Sequence, residues 1–250
     1  KFKLFSRRNS VAFMAGSVLM AIPASAQVDM KLGGGIGVVS SVADFNGSTQ
    51  QYYEGAAYGF NSGQDVFMRA KIGLSGMDIA GEIDFSALQN SGNSEPGQGA
   101  VDISQKILSF KLGPEFHFSL PALPVTPYAG ANVAVHRFSG EATFQGVSKV
   151  PSATYSVEAA TRLGIGLSVG AEVSVGPFLF LDFRTSYNFM NVSGREWKDV
   201  NPGTNQRIDS YLALNDRSDP QYAPGDDKHI VASGRSIQSI QFTVAMLFGL

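Results

Sequence analysis

The chain has 250 residues, with 19 Lys and Arg against 21 Asp and Glu, 28 Gly and no Cys. That balance leaves no basic footprint for nucleic acid, and the lack of Cys excludes a disulfide-stapled scaffold. An apolar content of 44% is also that of an ordinary soluble protein, so the residue pattern has to decide the class.

Residues 1–26 read as an export signal: Lys1, Lys3, Arg7 and Arg8 make a basic front, Val11 to Ile22 an apolar middle, and Ala24-Ser25-Ala26 a small-residue cleavage site. An apolar run of about 12 residues is too short to anchor in a membrane, where roughly 20 are needed. Cleavage near Gln27 removes four of the 19 basic residues and none of the 21 acidic ones, leaving 15 against 21, a net charge of −6. Residues 27–250 then form one domain.

Period-2 alternation predicts eight strands, at 28–41, 64–75, 78–88, 102–119, 126–138, 156–175, 179–191 and 235–250. Short connections at Gly76-Met77, Leu120 to Val125 and Gly176 to Phe178 alternate with long ones at 42–63, 89–101, 139–155 and 192–234. Gly33-Gly34-Gly35-Ile36-Gly37 lies inside the first strand with no helix after it, so it reads as a place where the wall bends rather than a phosphate loop.

The sixth strand shows two faces most clearly. Leu163, Ile165, Leu167, Val169, Ala171, Val173 and Val175 alternate with Gly164, Gly166, Ser168, Gly170, Glu172 and Ser174. The seventh repeats the pattern, with Leu179, Leu181, Phe183, Tyr187 and Phe189 against Asp182, Arg184, Ser186 and Asn188. The last strand carries Ile240, Phe242, Val244, Met246, Phe248 and Leu250 on one face to the end of the sequence. A final strand with an unbroken apolar stripe suits a wall whose outside is lipid. Together these features predict an all-β, eight-stranded antiparallel up-and-down transmembrane barrel, with short periplasmic turns and long extracellular loops.

A two-residue turn at Gly76-Met77 sets Lys71 opposite Glu82 and Arg69 opposite Asp84. With Glu172, Asp182 and Arg184 these residues would form an ionic network inside a narrow barrel, where an eight-stranded wall leaves room only for interlocking side chains. Buried charges that neutralise one another block flow as they stand, which favours a plugged lumen over a conducting one.

The chain resembles the small outer-membrane β-barrels of OmpA, OmpX and OmpW type, and especially the broad outer-membrane β-barrel domain family. The residues that carry the likeness are the export signal, Lys111-Leu112-Gly113-Pro114-Glu115-Phe116, Thr126-Pro127-Tyr128-Ala129-Gly130-Ala131, Leu181-Asp182-Phe183-Arg184 and the alternating terminal strand. Leu250 departs from the Phe that commonly ends such strands. The resemblance implies an outer-membrane location in a Gram-negative-type envelope, contact with outer-membrane lipid and lipopolysaccharide, and insertion by the barrel-assembly machinery. It implies no cofactor and no anchoring to the cell wall.

His117-Phe118-Ser119 has the His-x-Ser spacing of outer-membrane lipid A deacylases, but strand parity turns His117 and Ser119 toward the lumen, next to a periplasmic turn. That is the wrong face and the wrong end for surface lipid, so no catalytic residue is assigned, and His136 reads as polar lumen lining. Asn215, Asp216, Asp219, Asp226 and Asp227 lack the spacing of a calcium loop and read as a solvated loop, with no metal assigned. Function is therefore expected in the loops, as a non-enzymatic structural or surface-interaction role with an extracellular ligand or envelope protein as partner. Trp197, Tyr211, Tyr222, Arg195, Arg207 and Arg217 in the last loop, and Tyr52, Tyr53, Tyr58 and Phe60 in the first, are the candidate contacts. The alternative is a barrel transporting small or hydrophobic solutes.

Overall fold

The computed structural model describes residues 29–74, 76–118, 120, 124–200 and 206–250. Eight strands follow one another: β1 (Asp29–Val42), β2 (Ser62–Leu74), β3 (Met77–Glu95), β4 (Gln98–His117), β5 (Val125–Gln145), β6 (Ala153–Ser174), β7 (Leu179–Ser193) and β8 (Gln238–Gly249). Each pairs antiparallel with its neighbours, and β1 pairs with β8 to close the barrel. Closure satisfies the backbone groups of the wall within the sheet, as a segment surrounded by hydrocarbon requires.

The alternation in the sequence becomes an inside-out molecule. Ile36, Met68, Leu112, Val133, Leu167 and Phe242 are among the large apolar side chains left exposed on the outer wall, where they make a lipid-facing band. Polar and charged side chains turn inward, including Arg69, Lys71, Asp84 and Asp182, each no more than 2% exposed. The first strand carries glycines where the wall is crowded. A Cβ on Gly35 would lie 2.6 Å from the ring of Phe67, which fills the lumen beside Leu247.

Strand positions follow the sequence reading closely, and three differences have physical causes. The segment 89–101, expected as a long loop, instead continues β3 and β4 to a tight turn at Pro96-Gly97, where Gly97 takes φ +72°. Beyond the lipid band neither face of a strand meets hydrocarbon, so alternation fades although pairing continues. The same holds for β5, which runs on to Gln145 and shortens the third loop. The β2–β3 turn is the third difference. Leu74 pairs with Met77, with Gly76 at φ +76° between them, so the turn lies one residue earlier than expected and the register shifts by two. Arg69 therefore stands opposite Glu82, not Asp84, and Lys71 stands opposite Ala80, not Glu82. The export segment 1–26 and Ser119 lie outside the described residues.

A second core sits above the wall. Residues of the first loop, including the short helix α1 (Thr49–Tyr53), pack with the last loop over the extracellular mouth. Ser48 caps α1 by accepting from the Gln51 N–H, while the Gln51 side chain accepts from Ser48 N–H in return. Tyr52 and Tyr211 rings lie 5.2 Å apart, and Phe144 at the top of β5 is 5.1 Å from Tyr211.

Candidate functional site

The lumen holds a continuous network of charged and polar side chains to which every strand contributes. On β2, Lys71 places its ammonium 2.9 Å from Asp182 on β7, 3.1 Å from Glu115 on β4 and 3.3 Å from Glu172 on β6. Arg69 meets Glu115, stands 3.1 Å from Asp182 and reaches its cross-strand partner Glu82 of β3 at 4.0 Å. Arg184 on β7 binds Glu82 at 2.6 Å. Lys111 on β4 meets Glu82 and Asp84 at 3.1 Å each and donates to Gln241 of β8 at 2.9 Å. Lys31 on β1 closes the ring onto Glu172. Tyr128 of β5 donates its hydroxyl to Asp182, while its ring lies 4.5 Å from the Lys71 ammonium.

All seven residues expected in the lumen thus lie in one cluster, although Lys71–Glu82 and Arg69–Asp84 are not its pairs. Lys71 takes Glu115, Glu172 and Asp182 instead, and Asp84 takes Lys111. Lys31, Lys111, Glu115, Tyr128 and Gln241 belong to the network and were not anticipated. The parity that turns Leu112 and Phe116 toward lipid was the available signal for Lys111 and Glu115. Asp65 also joins from β2, sharing the Ser86 hydroxyl with Asp84 at 3.0 and 3.2 Å.

The two histidines raised by the sequence point inward. His117 lies 3.0 Å from Asp78, and with Glu115 they bring ligand-type atoms within 4.8 Å of one another. Glu115 is already engaged by Arg69 and Lys71, so this group is not a free donor set for a cation. His136 is buried beside the Ser109 hydroxyl at 2.9 Å.

The loop residues proposed for recognition divide sharply. Tyr52, Tyr53, Tyr58, Phe60 and Tyr211 are buried in the cap rather than displayed. Arg207 is buried as well: it donates to the Tyr53 carbonyl at 2.6 Å, the Asp227 carbonyl at 3.1 Å and the Tyr211 hydroxyl at 3.0 Å, and it lies over the Tyr53 ring. Burial pushes the phenols of Tyr52, Tyr58 and Tyr211 above their ordinary value. Trp197 is half-buried against the cap, Arg195 donates to the Asn191 carbonyl at 2.7 Å, and Arg217 and Tyr222 remain exposed. The acidic stretch is only partly solvated: Asp216 accepts from two Arg162 nitrogens at 2.8 and 2.9 Å, and Asp219 is buried beside His229 at 2.9 Å.

A closed antiparallel barrel with an apolar outside and a charged inside is an integral membrane barrel of the outer-membrane class. The chain belongs to the outer membrane protein beta-barrel domain family, whose pattern it matches over residues 10–207. No curated protein sequence is matched. Among solved structures it is similar to a major outer membrane protein from Thermus thermophilus, with TM-score 0.50 and 15% identity over 90% of this chain and 100% of that one. It is also similar to the Neisserial surface protein A, with TM-score 0.47 and 14% identity over 89% and 97%. The outer membrane protein OprG from Pseudomonas aeruginosa gives TM-score 0.47 and 10% identity over 89% and 95%. At these identities the likeness concerns the fold alone.

Proposed function

We propose that this protein is a non-enzymatic outer-membrane scaffold whose lumen is sealed and whose folded extracellular cap serves interaction at the cell surface. One observation supports the reading: side chains pack across the barrel at two separate levels. At mid-depth, five cations and their carboxylate partners interlock across the lumen. At the mouth, the first and last loops close into an apolar core that includes Phe45, Tyr52, Phe144, Tyr211 and Leu214.

An ion entering this lumen would have to separate buried pairs, and opening one partner leaves an uncompensated charge at a cost of several kcal/mol, on the order of 3–5. Cargo small enough for such a barrel would meet the cap first. The cap's own exposed surface, which includes Tyr222 and Arg217, is then what the chain offers to a partner. Assembly in the outer membrane would follow export of residues 27–250 and insertion by the barrel-assembly machinery.

The test is single-channel recording of the refolded protein in a planar bilayer, with insertion verified independently. A silent trace is expected. Steady discrete openings in the wild type would overturn the sealed lumen and make the barrel a transport pathway.

A further inference from the structure

Among the described residues, three of the five buried arginines meet carboxylates: Arg69 with Asp182, Arg184 with Glu82 and Arg162 with Asp216. Arg207 and Arg235, both in the last loop, reach uncharged oxygens instead. Of these two, Arg235 alone keeps a nitrogen, Nε, without a hydrogen-bond partner.

Arg235 is 5% exposed. The described residues include every Asp and Glu of the chain, and none of them pairs with it. Its other nitrogens donate to the carbonyls of Asn215 at 2.9 Å, Leu214 at 3.3 Å and Ala57 at 3.5 Å. A cation withdrawn from water without a counter-charge is strongly unfavourable, so this guanidinium calls for an anion.

Tyr58 of the first loop supplies a second unmet donor. The Arg235 guanidinium lies over its ring, 4.2 Å from the centroid. Tyr58 is 4% exposed, and its hydroxyl has no partner among the described residues. Burial holds the phenol above its ordinary pKa, so the hydroxyl keeps its proton at neutral pH. Leaving a buried N–H and a buried O–H unmet costs stability at each, and one acceptor placed between them removes both penalties.

The two side chains border the same cavity under the cap. Its free space is about 20 Å³, room for one body of roughly the size of a water molecule. Phe60, Ile103, Leu214 and Ile230 form apolar walls, and Glu141 borders it from the outer face of β5, where that residue is exposed. A water molecule could accept from both donors but would leave the guanidinium charge uncompensated. Sulfate and phosphate are too large for the space.

We propose that this cavity holds a single halide ion, which accepts from Arg235 Nε and the Tyr58 hydroxyl and neutralises the guanidinium. Tyr58 belongs to the first loop and Arg235 to the last, so the ion joins the two halves of the cap. It acts beside the contact that Arg235 already makes across them, to the Ala57 carbonyl. Closure of the cap then depends on halide in the surrounding medium. The inference goes beyond the surface role proposed above and does not depend on whether the lumen conducts.

The test is amide exchange of segments 43–61 and 206–236 in the refolded full chain. It is run in sodium chloride and in sodium gluconate, each at about 0.15 M so that screening is equal. Gluconate is too large for the cavity, and the strands serve as internal reference. Cap exchange should slow by roughly five- to tenfold in chloride, the protection expected when an ion stands at several times its dissociation constant. Tyr58→Phe removes one donor and keeps the ring, so its cap should stay closed in gluconate while the chloride effect falls below about twofold. Arg235→Met should abolish the effect, and Tyr58→Phe keeps the test decisive if that variant loosens the cap. Wild-type crystals soaked in bromide should show an anomalous peak between Arg235 and Tyr58. Equal exchange in the two salts would overturn the proposal, as would a chloride effect of the same size in wild type and Tyr58→Phe. A density peak with no anomalous signal would identify water alone and overturn it as well.

Discussion

Lys31 and Lys71 stand directly opposite each other on β1 and β2, and a single carboxylate, Glu172 of β6, meets both. Like charges in a cross-strand pair repel, and Glu172, reaching from across the lumen to both, offsets that repulsion beside the Glu115 and Asp182 contacts of Lys71. Glu172→Gln should therefore lower the unfolding free energy by about 3–5 kcal/mol, read from urea titration in lipid vesicles. Lys31→Met added to it should restore part of the loss. An unshifted urea midpoint for Glu172→Gln would show that the lysines need no shared anion.

Register makes a second expectation sharp. Arg184 and Glu82 touch at 2.6 Å, whereas Lys71 and Glu82 have separate partner sets. A double-mutant cycle on Arg184→Met and Glu82→Gln should give a coupling of about 1–3 kcal/mol. The cycle on Lys71→Met and Glu82→Gln should give a clearly smaller coupling, because the two touch no common atom and are linked only through Arg69. Reversed magnitudes would restore the two-residue shift in pairing that the turn at Gly76 rules out.

Arg207 joins the two loops of the cap through its contacts with Tyr53, Tyr211 and the Asp227 carbonyl. Arg207→Ala should loosen the cap by about 2–3 kcal/mol, since buried carbonyls and a hydroxyl lose a charged donor. Protease nicking and amide exchange across 206–236 should rise while the strands stay protected. Unchanged exchange in that segment would mean the apolar core alone holds the cap.

Alkaline pH should open the same cap. The phenols of Tyr52, Tyr58 and Tyr211 are held above their ordinary 10.0, mainly by burial. A raised pKa in the closed form means the stabilisation is complete below about pH 10 and declines as pH climbs above it. Tyrosinate absorbance should lag in the folded protein at about pH 11, and cap exchange should accelerate there before the barrel unfolds. If these three phenols ionise in step with the other tyrosines, the cap is already open at neutral pH.

Much of the wall was legible because lipid imposes a strict rule on one face of each strand. The charges of β2, β3, β6 and β7 could be assigned to the lumen from parity alone. Their partners could not, because a shift of the turn by one residue moves every cross-strand pair by two positions. Contacts across the lumen, such as Lys71 with Glu172, depend on barrel diameter and side-chain length rather than on spacing along the chain. The cap was illegible for a related reason: Tyr53 and Arg207 meet across 154 residues, and aromatic residues in a polar loop look alike whether they are displayed or folded inward.

The uneven strand lengths have a consequence for approach to the membrane. β3, β4, β5 and β6 have 19, 20, 21 and 22 residues, against 14, 13 and 12 for β1, β2 and β8. From Arg137, exposed on the outer wall, β5 continues for eight more residues to Gln145, a rise of about 20 Å along the barrel axis. One side of the barrel is therefore a parapet, and the cap leans on it through Phe144. Whatever meets the cap does so well above the lipid-facing band, and a molecule that stays at the level of the lipid encounters only the parapet's outer wall.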